Sequence, residues 1–131
     1  MDNSVADRWS PEIISKGFTP VPNLLIQYRK YLGMSVTEFY VLLAIEKWRW
    51  DNDQKPWPSI KTLVKQTGLS ASTIGRATQG LESVGLIGRI HRYNASNLYD
   101  MQPLIEELHH IAINVEGSQT VNQIDYTISQ K

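Results

Sequence analysis

Between Thr67 and Arg89 the chain changes its apolar periodicity twice, and the changes mark out its elements. Ile74, Ala77, Leu81 and Val84 recur at spacings of three and four, which defines one face of a helix. Ser72, Thr73, Arg76 and Gln79 occupy the opposite face, all hydrogen-bonding groups with little reason to be inside. Ser70 can cap this helix and Gly85 can end it, so the pattern predicts a helix over 70–84. Upstream, Ser59 can cap a shorter helix with apolar positions Ile60, Leu63 and Val64. Gly68 can take the left-handed conformation that closes it, and Leu69 is apolar enough to be buried in the turn. Downstream, Leu86 to Arg92 reads as a strand, Asn94-Ala95-Ser96-Asn97 as a turn, and Leu98 to Met101 as the returning strand. A helix with an apolar back and a small-polar, arginine-bearing front fits one held against a core while its other side enters a DNA groove.

The flanking chain supplies candidate support. Leu24, Leu25, Tyr28 and Leu32 predict a short helix over Pro22–Leu32, ended by Gly33. Ser35 or Thr37 can cap the next helix; Ser35 followed by Glu38 fits a capping box, and this helix is expected to run to about Trp50 as the central core helix, apolar on more than one side. Residues 51–56 read as a turn, and Pro56-Trp57-Pro58 as an extended segment suited to a short first strand. Trp57 is expected in the core or against the hairpin, with a partner contact as the alternative. Pro103 fits the first turn of a further helix to roughly Ile113, whose stripe of Leu104, Ile105, Leu108, Ile111 and Ala112 needs a surface to cover it. Its own domain and a second copy of the chain are the two options. Residues 1 to about 18 read as an irregular arm, part of which is expected to dock through Trp9, Ile13, Ile14 and Phe18. From Val115 onward the weak alternation of Ile124, Tyr126 and Ile128 fits either a flexible tail or a small extra strand.

Composition narrows the class. The apolar fraction of 41% suits a folded globule, and 131 residues suit one domain with one or two additions. The absence of cysteine excludes disulfides and thiolate metal sites and fits a cytoplasmic setting. The amino terminus has neither the basic flank nor the apolar run of a secretory signal, and no stretch has the length to cross a bilayer. The formal net charge of zero argues against a general polyelectrolyte binder. Its distribution matters more. Between Ser59 and Tyr93, Lys61, Lys65, Arg76, Arg89 and Arg92 stand against Glu82 alone, whereas after Asn94 five carboxylates face only Lys131.

Ser59, Leu63, Gly68, Ser70, Ser72, Thr73, Ile74, Arg76, Leu81, Glu82, Gly85, Leu86, Ile87 and Arg89 together resemble the winged helix-turn-helix modules of GntR-type bacterial regulators. They look still more like those of plasmid and phage replication initiators and their accessory proteins. Gly17 to Asn23 is similar to the lead-in of the replication group, so the resemblance covers about residues 17–101. It implies a mainly α winged helix-turn-helix fold with a small β-hairpin wing and an extra N-terminal helix, to which the pattern after Pro103 adds a C-terminal helix. The expected organisation is an arm (1–19), a winged domain (20–102), a C-terminal helix (103–114) and a tail (115–131). The chain departs from the family pattern at Gly75 and Gly80, inside the recognition helix. Each costs roughly 1 kcal/mol of helix propensity against alanine.

On this reading Arg76 meets a base edge or phosphate, with Gln79 beside it. Ser72 and Thr73 donate to phosphates at the helix amino end, and Ser70 is chiefly a cap. Lys61 and Lys65 suit the flanking backbone, and Arg89, His91, Arg92 and Asn94 on the wing suit the adjacent minor groove or phosphates. The expected partner is double-stranded DNA, with homodimerisation through the 103–113 helix and contacts to replication or transfer proteins as further options. No membrane association and no cofactor is expected. A winged module used for protein–protein assembly, with little DNA affinity, is the alternative. Glu106 and His110 share a helix face at i,i+4 with His109 adjoining, but two possible ligands make a weak metal site, and with no cysteine, phosphate loop or nucleophile motif this argues against an enzyme; His91 stands apart from them.

Overall fold

The three helices at the centre of the core begin in the same way, and that repetition builds the domain. In the computed structural model, which describes residues 4–51 and 53–116, Ser35, Ser59 and Ser70 each sit in extended backbone. Each accepts a hydrogen bond from the amide three residues on, satisfying one of the donors a helix start leaves open. The helices that follow are α4 (Val36–Glu46), α5 (Ile60–Thr67) and α6 (Ala71–Ser83). They are preceded by α1 (Val5–Trp9), α2 (Pro11–Ile14) and α3 (Asn23–Gln27). The hairpin β1 (Gly88–Arg92) and β2 (Ala95–Asp100) follows, then α7 (Gln102–His110) and a π-helical turn, Ile111–Val115. Among the described residues no helix is long and apolar enough to cross a membrane.

The expected capping box is present at α4. The Glu38 amide donates to Ser35 Oγ at 3.0 Å and the Ser35 amide donates to Glu38 Oε1 at 2.8 Å. The helix stops at Glu46, short of the expected Trp50, because the chain tightens there. Trp48 and Arg49 donate their amides to the carbonyls of Ile45 and Glu46, and the Arg49 guanidinium folds back onto Glu46 at 2.8 Å. Trp50 is thereby left 81% exposed instead of joining the core. Trp48 stays partly covered, its indole N–H donating to Gln66 Oε1 at 3.0 Å.

Val41, Leu42 and Ile45 of α4, Leu63 of α5, and Ile74, Ala77 and Leu81 of α6 form the centre of the core. Leu86, Ile87, Tyr99, Met101, Leu104 and Ile111 complete it. Val84, expected on the inner face of α6, lies at the helix end and is half exposed. Thr78 takes the inner position, fully buried with its hydroxyl donating to the Gly75 carbonyl at 3.0 Å. The end of α6 is closed by Gly85 at φ 76°, with the amide of Gly85 on the Glu82 carbonyl and that of Leu86 on the Leu81 carbonyl.

The strands begin and turn at positions other than those expected. Arg92 pairs with Ala95, so Tyr93 and Asn94 form the turn and Ala95 already belongs to β2. Asn94 sits at φ 55°, a left-handed conformation that asparagine tolerates. Pro56–Pro58 is not a strand; it touches the hairpin through one bond, the Tyr99 amide donating to the Pro56 carbonyl at 2.9 Å. The stripe of α7 closes on its own domain through Leu104, Leu108 and Ile111. The Tyr28 hydroxyl and Gln27 Nε2 then clasp Glu116. The arm forms α1 and α2, but Trp9, Ile13 and Phe18 remain more than half exposed, so the expected docking is not made through them. The tail alternation at Ile124, Tyr126 and Ile128 lies outside the described residues.

Gly75 and Gly80 have different reasons to be glycine. A Cβ at Gly75 would meet no heavy atom, whereas one at Gly80 would lie 1.9 Å from Glu38 Oε2, in the capping box of α4. Gly75→Ala should therefore stabilise the fold by about 0.5–1 kcal/mol in urea denaturation. Gly80→Ala should show no such gain, because it dislodges the Glu38 carboxylate, and the gain should reappear in a Glu38→Ala background. Tyr99 gives a pH signature. Burial raises its phenol above the ordinary value of 10.0, partly opposed by the charge of Arg89. Its contribution to stability is complete below the unfolded value and is lost as pH rises through the folded one. Alkaline unfolding monitored by circular dichroism should accordingly be less steep in pH for Tyr99→Phe than for the wild type.

Candidate nucleic-acid interface

The outer face of α6 is a line of connected polar groups. Ser70 Oγ accepts from the Thr73 amide at 3.1 Å, donates to Thr73 Oγ1 at 2.9 Å and lies 3.3 Å from Ser72 Oγ. Thr73 Oγ1 in turn accepts from Arg76 Nη2 at 3.3 Å. The hydroxyls of the cap and first turn therefore orient the guanidinium without burying it. Ser70, Ser72, Arg76 and Gln79 are exposed and Thr73 is half-buried, while Ile74, Thr78 and Leu81 behind them have no exposure. The turn that sets this face outward is tight. Gly68 has φ 74°, its amide donates to the Val64 carbonyl at 2.9 Å, and Thr67 Oγ1 accepts from the Leu69 amide at 3.1 Å. Lys61 and Lys65 are exposed on α5, ahead of the turn.

A helix-turn-helix domain family matches residues 32–87, which spans α4, α5, α6 and the approach to β1. The chain carries a winged helix-turn-helix domain. Among solved structures it is similar to the N-terminal domain of the DnaD protein from Geobacillus kaustophilus HTA426. The two share 25% identity with a TM-score of 0.60, over 77% of this chain and 84% of that one. No curated protein matches it.

The wing of this domain divides the remaining candidate residues. Arg89 is committed: its Nε and Nη2 donate to Glu82 Oε1 at 3.1 and 2.8 Å, tying β1 to the end of α6. That side chain is largely covered, so it braces the wing where the sequence suggested a free cation. Arg92 is exposed, with Nε held by the Ser96 carbonyl at 2.7 Å. His91 lies at the irregularity in register between Ile90 and Arg92, so simple alternation from Arg89 does not set its direction. Asn94 is exposed at the turn, and Tyr93 beside it is 92% exposed at the tip of the wing.

Tyr93 was not among the residues the sequence singled out. Its signal was the asparagine after it, which places the tight turn two residues earlier than a reading of Asn94–Asn97 as the loop. Ser35 and Thr37 were read only as caps. With Glu38 they line a cleft that also contains Thr73, Arg76 and Ala77, which brings the start of α4 beside the outer face of α6. Only tertiary packing reveals that neighbour. Among the described residues no group of three or more His, Asp or Glu side chains is placed to hold a metal ion.

The Arg89–Glu82 pair is partly exposed, and such pairs contribute modestly. A double-mutant cycle of Arg89→Ala and Glu82→Ala should give a coupling of about 0.5–1 kcal/mol by urea denaturation. A coupling near zero would mean that the wing is held without this bridge.

Proposed function

We propose that the protein binds double-stranded DNA without carrying out chemistry on it. The α6 helix enters the major groove, and the wing lies on the flanking backbone or minor groove. The observation that carries this reading is the hydrogen-bonded array Ser70–Thr73–Arg76, with Ser70 and Arg76 exposed and Thr73 half-buried, on a helix whose opposite side, Ile74, Thr78 and Leu81, is fully buried. Ser72 and Thr73, at the positive end of the helix dipole, suit a phosphate. Arg76 and Gln79 are the long side chains that reach toward base edges, with Lys61 and Lys65 on the preceding backbone. On the wing, Arg92, His91 and Asn94 suit the flanking strand, with Arg89 as a positioning residue. Gly75 offers the groove no side chain, so either the backbone approaches the groove closely there or phosphate contacts carry much of the affinity. The resemblance of residues 17–101 to modules of replication initiators, together with the similarity to the DnaD N-terminal domain, supports a role in replication. Transfer or transcriptional control for a plasmid, phage or other mobile element belongs to the same proposal.

Two observations favour a second reading, a winged domain used for protein assembly. The arm leaves Trp9, Ile13 and Phe18 exposed, and the net charge is zero. Fluorescence anisotropy on a panel of duplexes across salt separates the two. The DNA reading predicts salt-dependent binding that weakens about 10- to 100-fold in Arg76→Ala. Loss on every duplex with a shallower salt slope marks a phosphate contact, and selective loss marks base readout. An absence of duplex affinity at low salt contradicts the proposal.

A further inference from the structure

Trp57 is an exposed residue between two buried ones. Pro56 and Pro58 are both buried, the Pro56 carbonyl accepts from the Tyr99 amide at 2.9 Å, and the indole between them is 52% exposed. Proline fixes the backbone torsion at both neighbours, so the indole is presented with little backbone freedom left to lose on binding. It lines an open cleft of about 300 Å³ with Leu98 of β2, Lys55, Arg92, Gln54 and Asp53. The Nε bond of Arg92 to Ser96 leaves its two terminal nitrogens without a partner among the described residues. The cleft thus combines a rigid aromatic face, an apolar side wall and two cations against one carboxylate.

We propose that this cleft is a stacking site for an unpaired nucleobase, through which the protein holds single-stranded DNA beside its winged helix. Trp57 supplies the face on which the base stacks, and Lys55 and Arg92 take the adjoining phosphates. A duplex does not fit this chemistry, because its base faces are covered by neighbouring bases and only edges are offered in the grooves. The excess of positive charge around the indole favours a phosphodiester strand over an apolar peptide. Asp53 repels a phosphate on its own side, which leaves the path past Lys55 and Arg92. No residue of α6 lines the cleft, and Arg92 is the one lining residue shared with the duplex reading, so the indole of Trp57 is what tells the two apart.

The test is anisotropy of a fluorescein-labelled oligothymidine with the full chain, alongside a labelled duplex. Wild type should bind the oligothymidine. Trp57→Ala should weaken that binding about tenfold or more while leaving duplex affinity and the thermal midpoint unchanged. Trp57→Phe should recover most of the loss, since the face and not the indole N–H is used. Arg76→Ala should leave oligothymidine binding intact, so a failure of the duplex proposal reads out separately. The inference is overturned if wild type does not bind the oligothymidine, or if Trp57→Ala binds it as well as wild type. It is also overturned if the loss is matched by an equal loss of duplex binding or by a lowered thermal midpoint. Unchanged oligothymidine binding in Trp57→Ala, with an oligomer of the wild type dissolved in light scattering, would assign the indole to a protein contact instead.

Discussion

The burial of one side of α6 is the constraint from which the interface follows. Ile74, Thr78 and Leu81 are at zero exposure and Ala77 at 3%, so the rotation of the helix about its axis is not free. A turn of one residue, about 100°, would carry Arg76 toward the core and an apolar side chain into water. Small residues let the helix sit close on its neighbour: Gly80 lies against the Glu38 carboxylate at the start of α4. A glycine that weakens α6 locally is thus what allows α4 and α6 to meet. The hydroxyls and guanidinium of the outer face hold their direction because the inner face cannot move.

The ends of the helices set where that face begins and stops. Ser70 caps α6 and also belongs to the polar array, so a single hydroxyl terminates the turn and starts the polar outer surface. At the far end, Gly85 reverses the chain and Leu86 and Ile87 return at once to the core. The wing therefore starts from a fixed point, which Arg89 and Glu82 tie once more to α6. Caps of this kind contribute about 1 kcal/mol each to stability, but their larger consequence here is registration.

What could be read from the chain alone follows the strength of local rules. The capping box at Ser35, the caps at Ser59 and Ser70, the left-handed Gly68 and the stripe of Ile74, Ala77 and Leu81 depend on residues within a turn or two of each other. All were legible. The end of α4 was not, because Arg49 folding onto Glu46 is a side-chain choice that periodicity does not encode. Val84 and Thr78 exchanged places because the helix ends before Val84, while a threonine bonded to the Gly75 carbonyl can be buried as readily as an aliphatic residue. The wing turn was misplaced because Asn94 and Asn97 are both turn residues and only pairing decides between them. The commitment of Arg89 to Glu82, seven residues away, and the cleft joining Thr37 to Arg76 depend on packing between elements. The face was therefore readable before its neighbours were.

On the proposed function, the outer side of α6 and the wing meet DNA as one surface. The most direct measurement is an NMR titration of the ¹⁵N-labelled full chain with a short duplex, following every assigned backbone amide. The account predicts shifts concentrated over Ser70–Gln79 and Arg92–Asn94, with the buried residues of α4 little changed. Shifts confined to the arm at Val5–Phe18 or to α7, with the amides of α6 unmoved, would contradict it.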